Sequence, residues 1–223
     1  MINLSKEMQE FLLYSYFGID TKDNNQTITR RCMEMAYRDV ARTLKYFYST
    51  KDLEGMTKNQ KDEKKKFENK KESFKNDIFN IIENNNNNDT TVASIIEEVK
   101  KIADKQDNLW KEEFEFSFGQ AQKWVNMTFK YLYLFGLCQK DVVQLDVPID
   151  SYIIKAAKSD GTEYGLAIKG VTEKAWSNWD KCAYDKFQKE IKEMVKVKFK
   201  NFKNVFEWEC KAWIEVAKIE SNN

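Results

Sequence analysis

At 223 residues, with 42% apolar and 14% aromatic residues, the chain has material for one generous core, and its 33% charged residues keep the surface wet. Lysine plus arginine (37) nearly cancels aspartate plus glutamate (36), so the formal charge of +1 excludes a global attraction to nucleic acid or anionic membrane and leaves only local patches. Histidine is absent and Cys32, Cys138, Cys182 and Cys210 stand far apart, which excludes Ser/His/Asp and Cys/His nucleophile systems; the thiols read as buried, and no metal or cofactor is expected.

The opening stretch carries Lys6, Glu7 and Glu10 where an apolar signal core would begin, and no later window approaches a continuous membrane span. The expectation is a cytoplasmic protein with no membrane partner; the sequence sets no oligomeric state. From Thr27 to Tyr48 apolar residues recur at helical spacing (Ile28, Met33, Ala36, Tyr37, Val40, Leu44, Phe47), which predicts an amphipathic helix. All four arginines lie on it, with Arg31, Arg38 and Arg42 sharing a face. That face reads either as solvated charge paired with Glu34 and Asp39 or as a phosphate-contacting surface, because guanidinium suits bidentate contact with phosphate.

Between Lys51 and Asn88 the composition turns to Lys, Glu and Asn. Phe67, Phe74, Ile78, Ile81 and Ile82 fall on one stripe, so Lys61 to Glu83 is predicted to be a helix docked by that narrow stripe, with Asn84 to Asn88 as a linker. Asp89 or Thr90 is expected to cap the next helix, which runs through Val92, Ile95, Ile96, Val99 and Ile102 and ends near Asp107. Ser117-x-x-Gln120 is a capping-box pattern that starts a helix beside Gly119, ended by Gly136. Its apolar end, Phe129 to Phe135, marks it as the central buried helix. Pro148 keeps its predecessor out of helix and leaves Asp150 as the N-cap of the next one. Leu166-Ala-Ile168 is expected to be a short extended piece between glycine turns, before helices over Ala183 to Lys198 and Asn204 to Glu220. The fold expected is all-α (mainly α), a compact multi-helix domain. Residues 1–50 form N-terminal helices, 51–90 a Lys/Glu/Asn-rich helix and linker, and 91–223 a helical core in one domain with 1–50.

The chemistry-bearing stretch is Gly119-Gln-Ala-Gln-Lys123 followed by Val147-Pro-Ile-Asp150: a turn residue, an amine near a helix start and a carboxylate at the next helix start. An amine becomes a nucleophile when burial or a nearby positive potential lowers its pKa, and a helix N-terminus supplies such a potential. The first segment resembles the glycine hairpin and following lysine of helix-hairpin-helix DNA glycosylases, with Ala121 in the second glycine position. The second resembles the valine-proline-valine-aspartate segment of the 8-oxoguanine branch of that superfamily. The resemblance implies that Lys123 attacks the sugar C1′ to form a Schiff base, that Asp150 caps a helix and assists base departure, and that duplex DNA is the partner. It further implies hairpin amides at Gly119 and Ala121 that hold phosphate, and an aromatic surface for an extruded base, for which Trp124, Phe118, Tyr152, Trp176 and Trp179 are candidates. More loosely, the segment from Phe118 to Leu132, together with Val147-Pro-Ile-Asp150 and the Trp176 to Trp213 region, is similar to a family of uncharacterised bacterial helical proteins.

Two other readings stay open. One is a non-catalytic helical protein of a mobile element or defence system, whose Arg31/Arg38/Arg42 face binds nucleic acid or an acidic partner. The other is a nucleotide or small-ligand domain with a pocket at Trp124, Asn126 and Tyr152, where Gln122 and Asn126, four apart on one helix face, line the pocket or pair with neighbouring backbone.

Overall fold

A computed structural model describes residues 4–48 and 57–222. Among them are eight α-helices and no strand: α1 (Lys6–Phe17), α2 (Asn25–Ala41), α3 (Lys58–Asn86), α4 (Val92–Asp104), α5 (Phe118–Leu134), α6 (Ser151–Lys158), α7 (Lys181–Lys198) and α8 (Val205–Ser221). The protein is all-α. No described helix is long and apolar enough to cross a membrane. Residues 51–56 of the Lys/Glu/Asn-rich segment lie outside the described residues.

The helix starts follow local rules. Ser5, Asn24, Thr57, Thr91, Ser117, Asp150, Asp180 and Asn204 each present a side-chain oxygen to an amide of the first turn, and Thr57/Gln60 and Ser117/Gln120 complete reciprocal capping boxes. The cap of α4 is Thr91, one or two residues later than Asp89 or Thr90, because Asn88 Oδ1 already accepts the Thr90 amide in a turn ahead of it.

The centre of the molecule is α5, packed by α2 on one side and α4 on another, with Trp124 fully buried among the rings of Tyr37, Phe74 and Phe79. α5 is central as expected, with Phe129 and Leu132 buried, but the burial reaches farther into its polar half than into its last turn. Every residue from Phe118 to Phe129 is buried, including Gln120, Gln122, Lys123, Asn126 and Thr128, whereas Tyr133 and Leu134 at the apolar end are exposed. α2 ends at Ala41, short of the expected Tyr48; Leu44 still reaches the core, but Phe47 is 54% exposed. There the chain leaves helix to pair with the 109–111 stretch, Phe47 N–H donating to Leu109 O (3.0 Å) and Lys111 N–H to Lys45 O (2.9 Å).

α3 docks by the expected stripe, with Phe67, Phe74, Ile78, Ile81 and Ile82 buried. The asparagine run is not a linker throughout: Asn84, Asn85 and Asn86 continue the helix. Asn86 is buried and latches the chain beyond α5, its amide donating to Leu137 O (3.0 Å) and its oxygen accepting from Gln139 N–H (3.1 Å). Replacing Asn86 by alanine is expected to cost about 1–2 kcal/mol, read as a lower urea midpoint at unchanged slope, because it strands two backbone groups at once.

Two smaller expectations are corrected. Leu166-Ala-Ile168 is not extended: Ala167 has φ 59, and the amides of Leu166, Ala167 and Ile168 turn back onto carbonyls at the end of α6. The cysteines are not uniformly buried: Cys32 is, Cys138 and Cys210 are half-buried, and Cys182 is exposed, all with free thiols. Burial pushes the Cys32 thiol up to about 12, so it is inert packing.

Candidate functional site at the α5–α6 junction

The segment from Leu145 to Asp150 is non-helical, extended at both ends and largely buried. A buried extended segment needs partners for its backbone groups, and here two side-chain amides supply them. Gln188 of α7 accepts from Val147 N–H (3.1 Å) and donates to Val147 O (2.6 Å). Gln122 of α5 does the same to Ile149, accepting from its N–H (3.2 Å) and donating to its C=O (3.1 Å). Pro148 sits between these paired residues and has no N–H to satisfy.

Asn126 joins Gln122 to the next layer. Its amide donates to Gln122 Oε1 (3.1 Å) and to the Tyr184 hydroxyl (2.9 Å), and that hydroxyl donates to Asp146 (2.7 Å), which also takes Lys192 Nζ at 2.5 Å. Burial and the Asp146 carboxylate push the Tyr184 phenol well above its usual range, so it remains a donor. Asn126 Oδ1 and Trp124 Nε1 are buried polar side-chain atoms without a hydrogen-bond partner among the described residues.

This scaffold delivers Asp150 to Lys123. Lys123 Nζ lies 2.9 Å from Asp150 Oδ2 across 27 residues of chain, with the two side chains only 7% and 18% exposed. The other carboxylate oxygen, Oδ1, accepts the Ile153 amide (3.0 Å) and thereby caps α6. A third donor, Trp213 Nε1 of α8, reaches Oδ2 at 3.3 Å. Burial raises the Asp150 carboxyl, but the Lys123 ammonium and the bonds from Ile153 and Trp213 outweigh it and leave the group below its ordinary value. Asp150 is an anion clasped by one cation and two neutral donors. Tyr152 stands beside it, edge-on to Trp213 with ring centroids 5.0 Å apart.

Lys123, Asp150, Tyr152, Gln122 and Asn126 are thus brought into one assembly, while the other candidates are elsewhere. Trp124 is interior packing and has no free face for a base. Gly119 is not a hairpin turn: it lies in the first turn of α5, and the residues before it, 111–117, form turns and irregular chain instead of a helix. Its amide donates to Trp179 O (2.9 Å), and the Ala121 amide donates to Ser117 O (3.1 Å), so neither is open to phosphate. Trp179 is buried with its indole N–H on Lys174 O (2.9 Å), and Phe118 packs on Tyr184. Arg31 pairs with Glu34 (3.1 Å), Arg38 is exposed on α2 and Arg42 is exposed at its C-cap, none of them bonded to Lys123 or Asp150, while Asp39 accepts from Tyr131 (2.8 Å) instead of from arginine.

Trp213 is the site residue that sequence reasoning missed. The signal was available: it stands one position off the buried Trp208, Ala212, Val216 stripe of α8, so a residue of its size there needed another purpose. No described group of three or more Cys, Asp or Glu residues is arranged to hold a metal ion. Comparison with protein-family models, with curated proteins and with solved structures gives no match.

Proposed function

We propose that this chain acts on DNA as a glycosylase or abasic-site lyase in which Lys123 is the nucleophile and Asp150 the assisting carboxylate. The observation that supports the reading is the 2.9 Å contact between an amine and a helix-capping carboxylate that stand 27 residues apart. An ammonium has no lone pair, so attack requires Lys123 to give up a proton, and Asp150 is the acceptor in contact with it. The free amine would then attack C1′ as the glycosidic bond breaks, the base leaving with the bonding electron pair and taking the proton held by Asp150; transfer of a second proton from nitrogen to the ring oxygen O4′ as the C1′–O4′ bond breaks would give the protonated Schiff base and a free hydroxyl. Trp213, bonded to Asp150 and 38% exposed, would have to release the carboxylate for substrate to engage it.

A second reading is favoured by the closed state of the amides at Gly119 and Ala121 and by the depth of Lys123. In that reading the pair is structural and the protein binds a partner without turnover.

Borohydride trapping on duplex DNA carrying abasic, 8-oxoguanine or uracil sites separates the two. The expected result is a covalent complex with the natural chain, lost in Lys123→Ala and weakened in Asp150→Asn, with both variants checked for folding. No trapped complex on any of the three substrates would reject the lysine chemistry for those lesions and leave the binding reading.

A further inference from the structure

The lysines of α7 change character along the helix. In its first half they stand in ladders with carboxylates: Lys181 with Asp185, Lys186 with Glu190 at 3.9 Å and Lys189 with Glu193 at 4.0 Å. Beyond these the ladder stops. Lys196, Lys200 and Lys203 are exposed, and among the described residues their ammonium groups have no carboxylate, hydrogen-bond or ring partner. With Lys192 they rim a cavity of about 440 Å³ at the turn from α7 into α8, floored by half-buried Phe199 and Phe202 and containing no Asp or Glu in its lining. Phe202 is shared with a second cavity of about 340 Å³ toward Tyr133 and Leu134, so the apolar floor continues along the start of α8.

Ordinary structural causes cover only part of this arrangement. A helix C-terminus favours cations, which accounts for Lys196 and Lys198 in the last turn of α7. Lys198 is in any case engaged with the carbonyls of Gly165 (3.3 Å) and Leu166 (3.1 Å). Lys200 directly follows the C-cap Phe199 and shares that cause, but Lys203 precedes the N-cap of α8, where the dipole disfavours a cation. Lys192 is held by Asp146 (2.5 Å), and Glu207 takes the Lys203 amide (2.8 Å) at the edge of the second cavity, so the local positive field comes from the unpaired ammonium groups of Lys196, Lys200 and Lys203 around the apolar floor. The order Lys196, Phe199, Lys200, Phe202, Lys203 interleaves that field with rings. Phe199 and Phe202 lean together at 5.7 Å and against Tyr164 at 6.0 Å each, which fixes them as a platform.

We propose that this groove binds single-stranded nucleic acid, with Lys196, Lys200 and Lys203 on successive phosphates and the Phe199/Phe202 platform against the bases. Charge complementarity selects an anionic ligand, and the aromatic floor selects one whose flat apolar faces are unstacked, which a single strand offers and a duplex withholds. The inference does not rest on Lys123 and Asp150.

Fluorescence anisotropy of a labelled thymidine oligonucleotide of about 15 nucleotides tests it with the full chain. Binding at about 50 mM salt is expected to weaken as salt rises, and Lys196→Glu/Lys200→Glu/Lys203→Glu is expected to reduce affinity at least about tenfold and to lower the salt slope by about 2. Lys181→Glu/Lys186→Glu/Lys189→Glu, in the paired half of the same helix, serves as the charge-matched control and should change affinity much less. Phe202→Leu should erase any preference for the thymidine strand over an abasic strand of equal length. Absence of binding at low salt, indifference to the triple charge reversal, a duplex bound as tightly as the single strand, or an acidic peptide bound as tightly as the oligonucleotide would each overturn the proposal. Groove-dependent binding without borohydride trapping would uphold the groove and remove the lysine chemistry; trapping without groove-dependent binding would do the reverse.

Discussion

Replacing Asp150 by alanine is expected to lower the unfolding free energy by about 3–5 kcal/mol, because it leaves the Lys123 ammonium buried without its counter-charge. The same change removes the N-cap of α6 and the acceptor of the Trp213 indole, so three interactions fail together. Lys123→Met should cost less, about 2 kcal/mol, since the carboxylate keeps the Ile153 amide and the Trp213 donor. The double variant Lys123→Met/Asp150→Asn keeps an N-cap and contains no unpaired charge. It should recover to within about 1–2 kcal/mol of the natural chain, and its non-additivity against Lys123→Met and Asp150→Asn taken singly, read from urea midpoints, is the measure of the pair. The pH dependence follows from the direction of the Asp150 shift. Its folded carboxyl lies below the ordinary value of 3.8, so the contribution is complete above that value and is lost as pH falls through the lower folded value. The stability gap between the natural chain and Asp150→Asn should therefore be constant near neutrality and shrink below pH 3.8. An Asp150→Ala chain within about 1 kcal/mol of the natural one would mean that water already screens the pair.

Gly119→Ala is expected to destabilise by about 3 kcal/mol or more, although alanine is the better helix former by about 1 kcal/mol. A Cβ on Gly119 would stand 1.9 Å from the carbonyl oxygen of Trp176 and 3.0 Å from its carbon, and these are backbone atoms that cannot rotate away. The Trp176–Asn178 turn would have to lift off α5, breaking the Gly119 to Trp179 hydrogen bond and exposing buried Trp179. A red shift of tryptophan emission with the loss of stability is the accompanying sign. A variant as stable as the natural chain would disprove the close approach.

What could be read in the sequence was what local chemistry encodes. Ser117 and Gln120 lie within one turn, so the start of α5 is written in four residues; Pro148 and Asp150 announce the start of α6 in the same way. The resemblance singles out Lys123 and Asp150 for their roles and says nothing of a contact; the ion pair between them is seen only in the structure, and the roles are a proposal. The burial of the polar half of α5 was not legible, because periodicity counts apolar residues and is blind to amides whose partners are backbone groups elsewhere. Gln122 looks like a surface residue until Ile149 is placed beside it. Gly119 reads as a turn glycine until the Trp176 carbonyl arrives from a distant loop. The end of the Lys/Asn-rich helix was misjudged for the same reason: Asn86 is a poor helix former held in helix by bonds to Leu137 and Gln139.

The paired amides of Gln122 and Gln188 work as a lock with one key position. Val147 and Ile149 each meet a glutamine with both backbone groups, and the residue between them is the one that has no N–H to offer. Sliding the segment by a single residue would set Pro148, which has no N–H, against one of the glutamines and break that reciprocal pair. The register of 147–149, and with it the place of Asp150 over α5, is therefore digital: one alignment fits and its neighbours do not. Insertions or deletions between Leu145 and Asp150 should be far less tolerated than changes of length in the loop that follows α6.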